Sequence, residues 1–139
     1  MRGRPMNARA RRYAAEWDRP WFGIWGQEVA FLGRPATAED LVDPTWQPAD
    51  KGRLVEYLRS SPAALAGQQP EEECPICGTR YYPALYLSDG ERLWSDDVRH
   101  TVEHHNIVLP DSWVAAIRAR DYVPQQEIPA DTFDQLWPR

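Results

Sequence analysis

Cys74-Pro75-Ile76-Cys77-Gly78 and the run His100-Thr101-Val102-Glu103-His104-His105 hold both cysteines and all three histidines of the chain. Two thiolates three positions apart can grip one ion if the turn between them is tight. Pro75 stiffens that turn, and Gly78 lets the chain leave it in a left-handed conformation. The spacing is C-x2-C-x22-H-x3-H, or x4 if the second imidazole is His105. Two thiolates and two imidazoles form a closed tetrahedral set whose softness suits Zn(2+). Four protein ligands leave no open coordination position, so the expected role of the metal is structural.

Other readings compete. Histidines are also favoured near a helix C-terminus without any metal. The cysteines could be buried free thiols or a redox pair. A redox Cys-x-x-Cys should follow a strand and open a helix, whereas this one leads toward strands and follows the acidic run Glu71-Glu72-Glu73. Asp96, Asp97 and Glu103 near a metal could serve acid–base chemistry, which would make a zinc-dependent hydrolase. Helix capping explains the two aspartates more simply. No Gly-rich phosphate loop or nucleophile elbow is present, so no catalytic residue is assigned.

These ligands need elements to position them. Leu85–Ser88 and Glu91–Trp94 flank Asp89-Gly90, a two-residue hairpin signal that would set Leu87 opposite Arg92 and Leu85 opposite Trp94. Ser95 reads as the N-cap of a helix that turns Val98 and Val102 toward the core. Asn106 suits its end, before the extended Ile107-Val108-Leu109-Pro110. On a regular helix His100 and His104 share a side, so geometry alone mildly prefers His104 as the fourth ligand.

The stretch from about 55 to 117 resembles a family of small bacterial proteins of uncharacterised function. The shared pattern is a "YL" helix end, a Cys-x-x-Cys-Gly knuckle, a "DG" turn, a tryptophan, "H-x-V-x-x-H" and "V-x-LP". Here it is carried by Tyr57-Leu58, Cys74 to Gly78, Ser88-Asp89-Gly90, Trp94, His100-Thr101-Val102, His105 and Val108-Leu109-Pro110. Ser95 stands where the pattern has proline, and Arg80 to Pro83 lack its glycine. The resemblance implies metal ligands Cys74, Cys77, His100 and His105. It implies no activity.

The rest of the chain must bury its aromatic surface. With 139 residues it suits one domain, and seven Trp, six Tyr and three Phe supply large side chains in short pieces. Mean hydropathy is −0.66, and 13 prolines keep apolar runs too short to span a bilayer. No membrane association is expected. With no apolar leader and two cysteines, the expected location is cytoplasmic. Asn7 should cap a helix to about Trp17, and Asp50 one carrying Leu54, Val55, Tyr57 and Leu58. Thr37-x-x-Asp40 reads as a short capping box. Trp113 and Ile117 belong to a core helix, and Phe133, Leu136 and Trp137 to a terminal helix that docks on the body or on a partner.

The expected class is therefore α+β: a zinc-stabilised knuckle, hairpin and helix with flanking helices and an aromatic-rich N-terminal part. The divisions expected are a basic arm or helix (1–15), an aromatic and helical part (16–60), a loop (61–73), a zinc module (74–120) and a tail (121–139).

Charge bears on partners. The net charge is −5, yet Arg2, Arg4, Arg9, Arg11 and Arg12 fall in the first 15 residues without an acid. That arm could touch nucleic acid, or pair with the acidic body. The helix bearing the histidines opens with two aspartates, which is wrong for groove reading. The expected function is a non-enzymatic module that binds another protein, with nucleic-acid association through the arm as the alternative.

Overall fold

The computed structural model describes residues 5–23, 28–29, 34–35, 37–74, 76–82 and 84–137. In chain order it opens with α1 (Ala8–Glu16), β1 (Trp21–Phe22), β2 (Glu28–Val29), β3 (Arg34–Pro35), α2 (Ala38–Leu41) and α3 (Lys51–Ser60). Next come β4 (Ala63–Ala66), β5 (Glu72–Glu73), β6 (Arg80–Tyr81), β7 (Leu85–Ser88) and β8 (Leu93–Ser95). The chain closes with α4 (Asp96–His105), α5 (Asp111–Ala119) and α6 (Thr132–Leu136). The fold is α+β, built on a small sheet of order β1-β8-β7-β4. β7 runs antiparallel to both β4 and β8, and β1 joins β8 in parallel.

Local signals explain the helices. Asn7 caps α1, its side chain accepting from the N–H groups of Arg9 and Ala10, and Tyr13 and Ala14 point inward. Leu54, Val55, Tyr57 and Leu58 of α3 are buried, as the i, i+3, i+4 spacing requires. Asp50 heads that helix without a side-chain cap; its carboxylate takes Arg118 at 2.8 and 2.9 Å and Tyr122 at 2.6 Å. Asp40 accepts from the Thr37 N–H at 2.8 Å, the acidic half of the expected capping box.

One aromatic column forms the core. Tyr13 stacks on Trp17 at 5.3 Å, Trp17 meets Phe22 at 5.5 Å, and Phe22 meets Trp113 at 5.9 Å. Trp113 meets Trp94 at 5.8 Å, and Trp94 meets Tyr57 at 6.5 Å. The column thus stitches α1, β1, α5, β8 and α3 together. Of the aromatic and helical part expected over 16–60, residues 24–27, 30–33 and 36 lie outside the described residues, as do Arg2, Arg4 and Pro75.

Three expectations need correction. The hairpin register is shifted: Leu87 faces Trp94 and Ser88 faces Leu93, so the loop is Asp89 to Arg92 rather than Asp89-Gly90. Asp89 causes this by turning inward. Its Oδ1 accepts from the N–H groups of Glu91 and Arg92, and its Oδ2 from the Tyr57 hydroxyl at 2.7 Å. The stretch 61–73, expected as a loop, supplies β4 and β5. Ser95 stands at the N-cap of α4, but its hydroxyl donates to Asp97 instead of capping the backbone. Two arginines of α1 pair with the acidic body, one of the two roles expected of the basic segment: Arg9 meets buried Asp40 and Arg11 buried Asp43, while Arg12 pairs with Glu16 along α1 itself.

α6 docks on its own sheet. Tyr86 of β7 meets Phe133 at 5.2 Å and Trp137 at 5.1 Å, edge to face. Among the described residues no helix is long and apolar enough to cross a membrane.

Candidate metal centre

β5 and β6 pair Glu72 with Tyr81 and Glu73 with Arg80, which makes the knuckle the loop of a minimal hairpin. Within it the Gly78 N–H donates to the Cys74 carbonyl, and the Cys74 N–H to the Thr79 carbonyl, each at 2.8 Å. Gly78 takes φ 76°, where a β-carbon would be strained. This turn points both sulfurs the same way. Cys74 faces inward and is buried; Cys77 is exposed.

Across from the knuckle stands α4. Val98 and Val102 anchor it to the core, leaving its neighbouring face to the imidazoles. Cys77 Sγ lies 3.2 Å from His100 Nε2, and Cys74 Sγ lies 3.5 Å from His105 Nε2. One ligand atom from each of Cys74, Cys77, His100 and His105 falls within 4.8 Å of all the others. In a tetrahedral zinc site with ordinary bond lengths, the sulfur-to-nitrogen edge is about 3.6 Å. The two observed S···N separations, 3.2 and 3.5 Å, fall just short of that edge, so the donor set fits a small tetrahedral ion. The four residues lie close enough to hold a metal ion.

His104 is not among them. Its side chain is 55% exposed and its Nε2 lies 3.3 Å from Glu103, although its ring is only 5.0 Å from that of His100. The helical preference for His104 is therefore overturned. At about 100° per residue His105 would stand far round the helix from His100. The last turn is instead widened: the Asn106 N–H reaches the carbonyl of Thr101, five residues back rather than four. That widening carries His105 into the set.

The electrostatics favour ligand-ready protonation states. Burial pushes the His100 pKa down, and His104 and His105 add to this. Burial also lowers His105, helped by His104. Both imidazoles thus tend to be neutral. The Thr79 hydroxyl, 3.2 Å from Cys77 Sγ, is the leading cause that lowers the Cys77 thiol, followed by the Thr79 backbone. Metal binding needs neutral imidazole and deprotonated thiol, so all three shifts act in one direction. Thr79 escaped the reading of the sequence, although a hydroxyl two residues past a knuckle cysteine is a signal that could have shown it.

The acids near the site have other partners. Asp96 pairs with Arg99 at 3.8 Å, and Glu103 with Arg59 at 3.2 Å and Arg99 at 3.4 Å. Asp97 is buried under Ser95. Beside the centre an open groove of about 420 Å³ is lined by Cys77, Arg80, Tyr81, Arg99 and His104. A second hollow of about 290 Å³, bounded by Val42, Pro44, Ile76 and Asn106, opens on the other flank of the knuckle.

Fold and site together define an α+β protein carrying a Cys2His2 cluster between a knuckle and a helix. Compared with protein-family models, with curated proteins and with solved structures, the chain matches none.

Proposed function

We propose that this protein is a non-enzymatic module in which one structural Zn(2+) ion, held by Cys74, Cys77, His100 and His105, stiffens a surface for another protein. The observation that carries the zinc reading is the donor set itself. Two sulfurs and two nitrogens converge within 4.8 Å, with S···N separations of 3.2 and 3.5 Å. Softness selects zinc over hard cations, and four protein donors close the coordination sphere. The knuckle supports the interaction reading. Ile76 sits between the two cysteines and is 45% exposed beside the hollow floored by Val42 and Pro44. An apolar side chain raised on a metal-stiffened turn loses little conformational freedom when a partner covers it.

The nucleic-acid alternative draws less support. Arg9 and Arg11 are committed to Asp40 and Asp43, so the described part of the basic segment offers little charge to phosphate.

Protein purified without chelator should carry about one zinc per chain by elemental analysis, as a single closed four-ligand site requires. Well under half an equivalent would end the zinc reading. Affinity capture from native cells tests the interaction. A protein retained by the wild type but lost with Ile76→Asp supports it, whereas captured nucleic acid that salt displaces favours the alternative.

A further inference from the structure

We propose that Asn106 decides which of two adjacent histidines enters the metal set, delivering His105 and holding His104 outside. This rests on the zinc reading above. A regular helix bearing His100 and His104 already offers two imidazoles one turn apart, so the use of His105 needs a cause. Asn106 sits at φ 52°, ψ 40°, a left-handed conformation that asparagine tolerates better than most residues. A glycine there would end the helix equally well. What asparagine adds is a grip on its surroundings.

That grip is threefold. Its Nδ2 donates to the Pro44 carbonyl at 3.3 Å, its Oδ1 accepts from Lys51 Nζ, and its own carbonyl accepts from the Asp43 N–H at 3.0 Å. The Asn106 and Ile107 N–H groups both converge on the Thr101 carbonyl, so the widened turn is closed twice. The anchors are themselves fixed. Asp43 is fully buried and held by Arg11 and by Thr45, whose N–H and hydroxyl lie 2.9 and 2.7 Å away. Beyond Asn106 the chain continues against the same segment, with Ile107 bridged to Val42 and the Val108 N–H on the Leu41 carbonyl at 3.1 Å. The residue after His105 is thus tied to the start of α3 and to the 41–44 segment. The rotation of the last turn follows from those ties rather than from the helix. Asn106 is a positioning residue: it acts on the metal only through His105.

Cadmium-113 loaded protein tests this directly, because NMR correlations from the metal to imidazole protons identify the ligating rings. The wild type should show His100 and His105, and Asn106→Ala should bring in His104 in place of His105. Chelator competition for zinc supplies the second readout. His104→Ala alone should leave zinc affinity unchanged, and Asn106→Ala should weaken it less than about tenfold, because His104 substitutes. Combining the two should cost about a hundredfold, the upper range for outer-shell partners. Should Asn106→Ala fail to fold, Asn106→Gly keeps the left-handed turn and removes only the side-chain ties, and the same pairing with His104→Ala applies. Simple additivity of the two substitutions, with His105 still coupled to cadmium when the ties are gone, overturns the assignment. A wild type that takes up neither zinc nor cadmium removes the zinc reading first, and this assignment with it.

Discussion

Asp97 is only 5% exposed in the first turn of α4, with the Ser95 hydroxyl as its side-chain donor. Burial is the main cause that pushes its pKa up to about 6, with Asp96 adding to it and Ser95 opposing. Its ordinary value is near 3.9, so the folded protein favours the protonated form. The stabilisation from this group is therefore complete below about pH 4 and is lost as pH rises through about 6. Asp97→Asn keeps an oxygen for Ser95 and removes the charge. The variant should be the more stable of the two at pH 8, by about 1–3 kcal/mol, and the advantage should vanish near pH 4. Protonation of the cysteines and histidines acts on both proteins and cancels in the difference. Urea melts across that range measure it, and parallel curves would refute it.

At the scale of elements, the β7–β8 turn is fixed from outside itself. Asp89 is fully buried and receives Tyr57 from α3, Arg92 from its own loop at 3.0 Å and Arg120, just past α5, at 3.3 Å. Burial alone would raise its pKa. The Tyr57 hydrogen bond, the Glu91 N–H and the Arg92 charge together hold it below the usual carboxylate range. Asp89→Ala leaves two arginines and a phenol without their shared acceptor, and should cost about 3–5 kcal/mol in denaturant unfolding. A loss under about 1 kcal/mol, the scale of a surface pair, would mean the turn closes without it. The same residue shows where sequence legibility ends. Both hairpin strands are readable from their apolar residues, but their register depends on Tyr57 and Arg120, distant in the chain. β4 is hidden because Ala63-Ala64-Leu65-Ala66 has weak strand propensity and gains its place by pairing with β7. α1, α3 and α5 were legible because their buried residues repeat at helical spacing. The Cys2His2 cluster was legible because ligand types are rare and were grouped. Its fourth member was not legible from periodicity, since the end of α4 is set by contacts to the 41–44 segment.

At the scale of the whole molecule, the aromatic column and the metal centre are separate sources of order. The column from Tyr13 to Tyr57 runs through α1, β1, α5, β8 and α3 and buries Leu87, Leu93, Val98, Val102 and Ile107 around it. Those residues belong to β7, β8, α4 and the strand-like exit from α4, so the side of the Cys2His2 cluster that carries the histidines holds itself in place by packing. The knuckle has no such support. Among the described residues from 71 to 81, Cys74 alone is buried, and Glu71 to Glu73 place three like charges side by side. On the proposed zinc reading, binding free energy from the ion orders this segment, as in small metal-dependent domains. Stripping zinc with a strong chelator should leave the tryptophan environment and the cooperative unfolding of the core largely intact. Amides of 72–81 should then exchange with solvent at close to the unfolded rate, while those of α3, α5, β7 and β8 stay protected. Cys74→Ser should reproduce the pattern without chelator. Hydrogen exchange followed by mass spectrometry distinguishes the outcomes. Retained protection across 72–81 would deny the metal its structural role. Global loss of protection would show instead that the aromatic column cannot stand without it.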